Sequence, residues 1–322
     1  MSSKEIIVSA PGSLMLMGEH AVLYGRRALV AAINRRVRVR LAPRADRQVC
    51  IRSALGALDT TLDTLVVQPP FTFVLATLQK FRRQLKHGFD LTIESEFSHE
   101  LGFGSSAAVT VALLGALTAR FRIFRPTYNE EAWLRAAIAI IRQVQGCGSG
   151  ADAAASLLGG VVLYRAAPLE FHSLYEVTPR LTAVYAGYKT KTADVIAHVK
   201  RGQAFNPRIF NSIYDLMDMC VARAVPFFKR NDWGMAGELM NIHHGLQTAL
   251  GTNTPELEEI RTLLRQAGGV AGAKISGSGL GDCAVGLGWP DTELAPYSAY
   301  RLQVPSSGAS LEFDDEEPAR AT

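Results

Sequence analysis

The stretch Gly102-Phe103-Gly104-Ser105-Ser106-Ala107-Ala108 constrains this chain more than any other. Two glycines and two serines stand directly before an apolar run from Ala107 to Ala119, broken only by Gly115. Glycine lets the backbone turn successive N–H groups to one side, and a helix N-terminus carries roughly half a positive charge. The combination is a site for phosphate. Two similar islands flank it: Ala10-Pro11-Gly12-Ser13 leading into Gly18-Glu19-His20, and Ser276-Gly277-Ser278-Gly279-Leu280-Gly281. The central island also matches the loose dinucleotide pattern Gly-x-Gly-x-x-Ala. That reading needs a strand running straight into the loop and an acidic residue about twenty positions on. Here polar Glu94 to Glu100 intervenes, and Arg122 and Arg125 occupy the downstream region.

The 322 residues are enough for two medium domains, and a linker holding Pro168 and Pro179 puts the boundary near residue 180, giving 1–180 and 181–322. A net charge of +4 is too mild for a nucleic-acid footprint. Cys50, Cys147, Cys220 and Cys283 are scattered, with neither the spacing of a zinc site nor that of a disulfide framework. Met1 to Val8 has no signal-peptide core, and the run Ala107 to Ala119 is too short to span a bilayer. The expectation is a cytoplasmic protein with a small-molecule partner, and no nucleic acid or membrane.

Strands are expected at Ile6 to Ala10, closed by Pro11-Gly12, and separately at Leu14 to Met17. Val37, Val39 and Leu41 alternate with Arg36, Arg38 and Arg40, the pattern of a half-exposed strand whose arginine face is either solvated or turned to phosphate. Helices are expected over Phe71 to Leu85, then from a cap at Asn129 with Glu130 and Glu131 in the first turn, then over Ala151 to Leu158 after the turn Gly146-Cys147-Gly148-Ser149-Gly150. Strands follow at Val161 to Tyr164 and Thr182 to Ala186. Further helices are expected over about 192–201, 207–229 (interrupted by Pro226) and 232–249, and from Thr254 with Pro255 at the first position. Val270 to Ile275 and Cys283 to Leu287 read as strands around the third island, and Ser310 to Phe313 as an edge strand before the acidic tail Asp314 to Glu317. The alternation indicates layered α/β or α+β structure.

In order and spacing, Ala10-Pro11-Gly12 with Gly18-Glu19-His20-Ala21-Val22-Leu23, the central Gly102 to Ala108 loop, and Lys274-Ile275-Ser276-Gly277-Ser278-Gly279-Leu280-Gly281 together resemble the GHMP kinase superfamily. That group comprises galactokinase, homoserine kinase, mevalonate kinase and phosphomevalonate kinase. The Gly18 to Leu23 stretch is most similar to its mevalonate kinase branch. The resemblance runs from about residue 6 to residue 313. It implies an α+β, two-domain fold with ATP and substrate in the inter-domain cleft. It assigns ATP to Gly102, Phe103, Gly104, Ser105, Ser106 and Ala107, with Ser106 also helping to hold Mg²⁺. Asp152 falls at the position of the family's catalytic aspartate. From the residues alone, Asp152 is equally a first-turn carboxylate of its helix, and Thr192 a helix cap.

On the substrate side the resemblance suggests Ser13, Glu19, His20, Lys189, Thr192, Gly277 and Ser278. The implied reaction is phosphorylation of a small hydroxy acid by ATP, mevalonate to 5-phosphomevalonate first. Phosphomevalonate or another small alcohol is the alternative, and a ligand-binding sensor without turnover the third reading; a homodimer is compatible with all three. Two departures stand out. The family lysine after Ala-Pro-Gly is Ser13 here, and the family glutamate eleven positions before the aspartate is Ile141. Lys189 or Lys191 is the candidate replacement for the cation, and Glu19 or Glu100 for the metal ligand. His243 and His244 lack the spacing of a metal pair.

Overall fold

A computed structural model describes residues 5–98, 100–124, 130–174 and 176–312. The first island lies inside one long strand, β1 (Ile6–Met17), rather than between two. The chain does not break at Pro11-Gly12 because the ladder slips there, with a register shift between Pro11 and Ser13. A bulge absorbs the missing proline N–H, and the Ser13 N–H leaves the sheet to bond the Phe103 carbonyl at 3.0 Å. After a 3₁₀ turn (Ala21–Tyr24), β2 (Arg27–Pro43) runs antiparallel to β1, pairing Val8 with Val39 and Ala10 with Val37.

The arginine face of β2 binds its own sheet neighbours. Arg36 donates to Ser9 and to the Gly308 carbonyl, Arg38 pairs with Glu312 at 2.7 Å, and Arg40 lies 3.3 Å from Glu5. These half-exposed pairs add little stability each. None of the three arginines lines the cleft described below.

The hairpin β3 (Gln48–Ser53) and β4 (Gly56–Thr61) is followed by α1 (Thr72–Phe81), β5 (Phe89–Ser95), α2 (Ser105–Phe121), α3 (Glu130–Gln145), α4 (Ala151–Leu158) and the hairpin β6 (Val161–Ala166) and β7 (Leu169–Leu174). The expected cap at Asn129 lies outside the described residues. Val8, Val39, Leu41 and Phe89 of this sheet pack against Leu75, Leu113, Leu117, Leu134 and Ile140 of the helices in one core. The periodic apolar faces of α1, α2 and α3 are what that core requires.

The second half contributes β8 (Arg180–Tyr185), α5 (Thr192–Phe205), α6 (Pro207–Lys229), α7 (Trp233–Ala249), α8 (Pro255–Gln266), β9 (Val270–Ser276), β10 (Cys283–Gly288) and β11 (Ala299–Gln303). Its sheet runs β11-β8-β10-β9. Pro226 does not interrupt α6. The helix continues one turn past it because Phe228 is buried and packs edge-on against Trp233, with ring centroids 5.8 Å apart. Thr254 caps α8, its side chain accepting the Leu257 N–H.

A last strand, β12 (Ser310–Glu312), returns to the first sheet beside β1 and gives the order β12-β1-β2-β5-β3-β4, with β6 paired to β2 and β7 paired to β6. Phe313 and the acidic tail lie outside the described residues. A second core joins the sheets, uniting Leu14, Leu16, Leu29 and Phe103 with Leu181, Val221, Phe228 and Val285. The three glycine islands are thereby held around one cleft. No helix among the described residues is long and apolar enough to cross a membrane.

Candidate active site

The central loop enters α2 through Gly102 and Gly104, both left-handed with φ of 67°. A side chain at either position would have to push a neighbouring side chain aside as well as strain the backbone. A Cβ on Gly104 would lie 2.2 Å from Ser13 Oγ, and one on Gly102 would lie 1.9 Å from Asp282 Oδ1. Gly104 is the N-cap of α2, and no side chain caps the helix. Its first amides therefore remain available to an anion.

Phe103, expected to contribute through its backbone amide, turns its side chain away from the cleft. Its side chain is buried against Phe97 and Tyr300, with centroids 6.0 and 5.7 Å away. Its carbonyl accepts the Ser13 N–H, so Phe103 anchors the loop and does not line the cleft.

The cleft, of about 220 Å³, is lined by Gly102, Gly104, Ser105, Ser106 and Ala107 from the central loop, by Glu19 and His20, by Asp152, by Lys189 and Thr192, and by Ser276, Gly277, Ser278 and Asp282. Asp152 stands in the first turn of α4 and accepts a hydrogen bond from Ser13 Oγ at 2.8 Å. Ser13, expected on the substrate side, is instead buried behind the carboxylate and does not line the cleft. Burial pushes the Asp152 carboxyl above the usual range, while the Ser13 hydroxyl and the charge of Lys189 pull it down. The preceding turn is held by Tyr164 OH donating to the Ser149 carbonyl at 2.6 Å and Arg142 Nε donating to the Gly148 carbonyl at 2.9 Å.

Glu19 is more deeply engaged than a substrate contact requires. Its carboxylate pairs with Lys274 on β9, and both are almost completely buried. Burial pushes Glu19 upward and Lys274 downward, and the ion pair opposes both shifts. His243 accepts the Gly18 N–H on Nε2 at 2.8 Å, which puts its ring proton on Nδ1, 3.9 Å from Glu19 Oε2. His20 Nε2 donates to the Ser278 carbonyl at 2.8 Å, and Ser276 Oγ to the Met15 carbonyl at 2.9 Å. The first and third islands are therefore pinned together beneath the cleft. A lysine in the otherwise apolar strand Val270 to Ile275 is the sequence signal for such a buried acid partner.

Among the described residues lining the cleft, Lys189 is the only lysine or arginine. Lys191 is the residue before α5 and stays outside the lining; Glu100 is exposed and outside it as well. Thr192 is not the cap of α5 but its first residue, and it faces the cleft. Ile141 lines the cleft without offering a metal ligand. Asp282, unremarked in the sequence, lies 3.6 Å from Lys189 Nζ. His244 bonds Glu258 at 2.9 Å, away from the cleft.

A second, more apolar cavity of about 620 Å³ opens on the other side of Ser105 and Ser106, lined by Val37, Pro70, Phe71, Phe73, Val74, Ile93 and Val109 among others. An apolar chamber and a polar cleft that share two helix-start serines suit a ligand with a flat base and a polyphosphate.

Comparison with known proteins agrees with this geometry. Residues 72–160 match the GHMP kinases N terminal domain and residues 224–296 the GHMP kinases C terminal. A mevalonate kinase of Archaeoglobus fulgidus is 34% identical over 287 residues, covering 88% of this chain and 92% of that protein. The chain is a GHMP kinase. A mevalonate kinase of Thermococcus sibiricus is 30% identical over 88% of the chain and 89% of its own length. Among solved structures, the GHMP kinase fold is matched by Methanococcus jannaschii mevalonate kinase, with a TM-score of 0.79 and 21% identity over 95% of this chain and all of that one. The L. major mevalonate kinase solved with R-mevalonate matches with a TM-score of 0.76 and 24% identity over 95% and 97% of the two chains. Residues 1–43 also match the galactokinase galactose-binding signature.

Proposed function

We propose that this GHMP kinase transfers the γ-phosphoryl group of ATP to mevalonate, giving 5-phosphomevalonate, in the cytoplasm. The observation that carries the reading is Asp152, held by Ser13 on the wall of the cleft that also exposes the α2 amides. Mevalonate is favoured over other alcohols because the Thermococcus sibiricus and Archaeoglobus fulgidus relatives, 30% and 34% identical, are mevalonate kinases. The boundary near residue 180 belongs to the same proposal and is supported by the separate four-stranded sheet that begins at β8.

In this reading the amides of Gly102 to Ser106 cradle the phosphates and the apolar cavity takes the base. Asp152 orients the substrate hydroxyl and accepts its proton as the oxygen bonds to the γ-phosphorus and the bond to the ADP oxygen breaks. Phosphoryl transfer has a loose transition state, so positioning and charge supply most of the acceleration. Lys189 supplies a positive charge to the cleft that the Ser13 position lacks. His20 and Glu19 fix the third island, whose Gly277 and Ser278 border the substrate.

The donor set fits Mg²⁺: hydroxyl and carboxylate oxygens reach the cleft, and Asp282 Oδ1 is buried there with no hydrogen-bond partner. Among the described residues no cluster of three or more His, Cys, Asp or Glu side chains forms a metal centre. Mg²⁺ bound with nucleotides is typically held by one or two protein carboxylates plus phosphates and waters. Ser106 and the cleft carboxylates would hold it, and bound Mg²⁺ would neutralise charge developing on the phosphates.

The test is ADP release with mevalonate, phosphomevalonate, homoserine and galactose side by side, galactose because of the match over residues 1–43. The reading predicts the highest kcat/KM on mevalonate. Preference for another alcohol refutes the substrate, and nucleotide binding without turnover on any of them refutes the kinase reading in favour of a sensor.

A further inference from the structure

We infer that Asp282 is a carboxylate ligand of the divalent cation that accompanies the nucleotide, taking the part that Ile141 cannot play. The inference rests on the kinase reading above and concerns a residue outside the three glycine islands.

Asp282 has a positive φ of 70°, in the left-handed region that favours glycine and admits Asp more readily than most other side chains. The residues before it, Gly277-Ser278-Gly279-Leu280-Gly281, show that this loop readily accommodates glycine. Positive φ is not rare for an aspartate, and it is the buried oxygen without a hydrogen-bond partner that calls for a reason. Backbone pairing does not provide one. The Asp282 N–H donates to the Tyr188 carbonyl and its own carbonyl accepts from Ala186, both at 2.8 Å, and neither bond needs the side chain.

The side chain reaches the phosphate loop instead. Its Oδ1 is buried with no hydrogen-bond partner and lies where a Cβ of Gly102 would be, so the carboxylate rests on the backbone of the cradle. Its Oδ2 is 3.6 Å from Lys189 Nζ, longer than a direct hydrogen bond. One flexible, partly exposed lysine therefore does not account for both oxygens.

A carboxylate pressed against an anion cradle repels the polyphosphate that the cradle exists to bind. A divalent cation shared by carboxylate and phosphate reverses the sign of that interaction. Mg²⁺ bound with nucleotides typically takes one or two carboxylates and keeps phosphate and water for the rest. Asp282 also lines the same cleft as Asp152, so two like charges face the space the phosphates would enter. A cation in this cleft would relieve that repulsion too.

The test uses the full chain, Mn²⁺ as the probe, and Asp282→Asn and Asp282→Gly. Glycine restores an easy left-handed backbone, so it controls for a folding defect in the asparagine variant. Free Mn²⁺ is followed by electron paramagnetic resonance during titration into enzyme saturated with ADP, and ADP affinity without metal is measured by calorimetry in EDTA. Both variants are expected to bind Mn²⁺ at least about tenfold more weakly, since even residues supporting a metal ligand are typically worth 10–100-fold. Metal-free ADP affinity should be unchanged or tighter. Mn²⁺ affinity within twofold of wild type, or metal-free ADP weakened as much as Mn²⁺, overturns the inference. If the wild type itself fails to bind Mn²⁺ with ADP, the kinase reading falls with it, which separates the two failures.

Discussion

Replacing Gly104 with alanine attacks the cleft at the point where two glycine islands and the proposed base meet. Two costs arise. The left-handed backbone, with φ of 67°, is strained for alanine by about 1–2 kcal/mol. The new Cβ would also stand 2.2 Å from Ser13 Oγ, so the hydroxyl must turn away from Asp152. A hydrogen bond to a charged group is worth about 1.5–3 kcal/mol, and the open cleft favours the lower end. Gly104→Ala alone should therefore destabilise by about 2.5–5 kcal/mol.

In a Ser13→Ala background the clash is gone, because the new Cβ meets Ser13 Cβ at an ordinary 3.4 Å. There Gly104→Ala should cost only the backbone strain, about 1–2 kcal/mol. Urea denaturation of the four proteins, followed by circular dichroism, measures the coupling. A coupling of about 1.5–3 kcal/mol is expected; additivity within about 0.5 kcal/mol would show that Gly104, Ser13 and Asp152 do not form a contiguous unit.

Further outcomes follow from the same contacts. Glu19→Gln and Lys274→Met should each destabilise by about 3–5 kcal/mol by stranding a buried partner, while Glu19→Leu with Lys274→Met together should cost less than either single change. Thermal melts of all four proteins check this, and a double variant less stable than both singles contradicts it. The acid limb of kcat/KM should lie above the ordinary aspartate range because burial raises Asp152. Ser13→Ala and Lys189→Met each remove something that favours the charged carboxylate, so each should move that limb to higher pH. A limb that stays put or moves down in both variants would exclude Asp152 as its source.

Much of the architecture was legible because its signals are local. The amphipathic period of α3, the Thr254-Pro255 start of α8 and the Gly146 to Gly150 turn before α4 each have a chemical cause in a few adjacent residues. What the sequence hid were tertiary decisions. Pro11-Gly12 reads as a strand end, yet the strand continues because the loop holding Phe103 takes up the Ser13 N–H. Pro226 reads as a break, yet buried Phe228 keeps the helix running.

In the cleft, the glycine islands and Lys189 could be named from their context and Asp152 from the family resemblance, but roles depending on distant partners could not. Glu19 lines the cleft as its context suggests, but its ion pair with Lys274, 255 positions away, is invisible in the sequence. Ser13 looked like a lost lysine until its hydroxyl was found on Asp152. Asp282 looked like an ordinary loop carboxylate; only its buried oxygen without a hydrogen-bond partner sets it apart.

Asp152 is proposed to take the proton of the acceptor alcohol, and the proposed reaction depends on that step. Asp152→Asn keeps the size and the contact with Ser13 while removing the basic oxygen, so ATP affinity and mevalonate turnover measured on the same preparation isolate that role. Nucleotide affinity within a few-fold of wild type, with turnover reduced by about 10²–10⁴, is the predicted result. Turnover within about threefold of wild type would contradict it, because general-base help is typically worth at least 10² in rate.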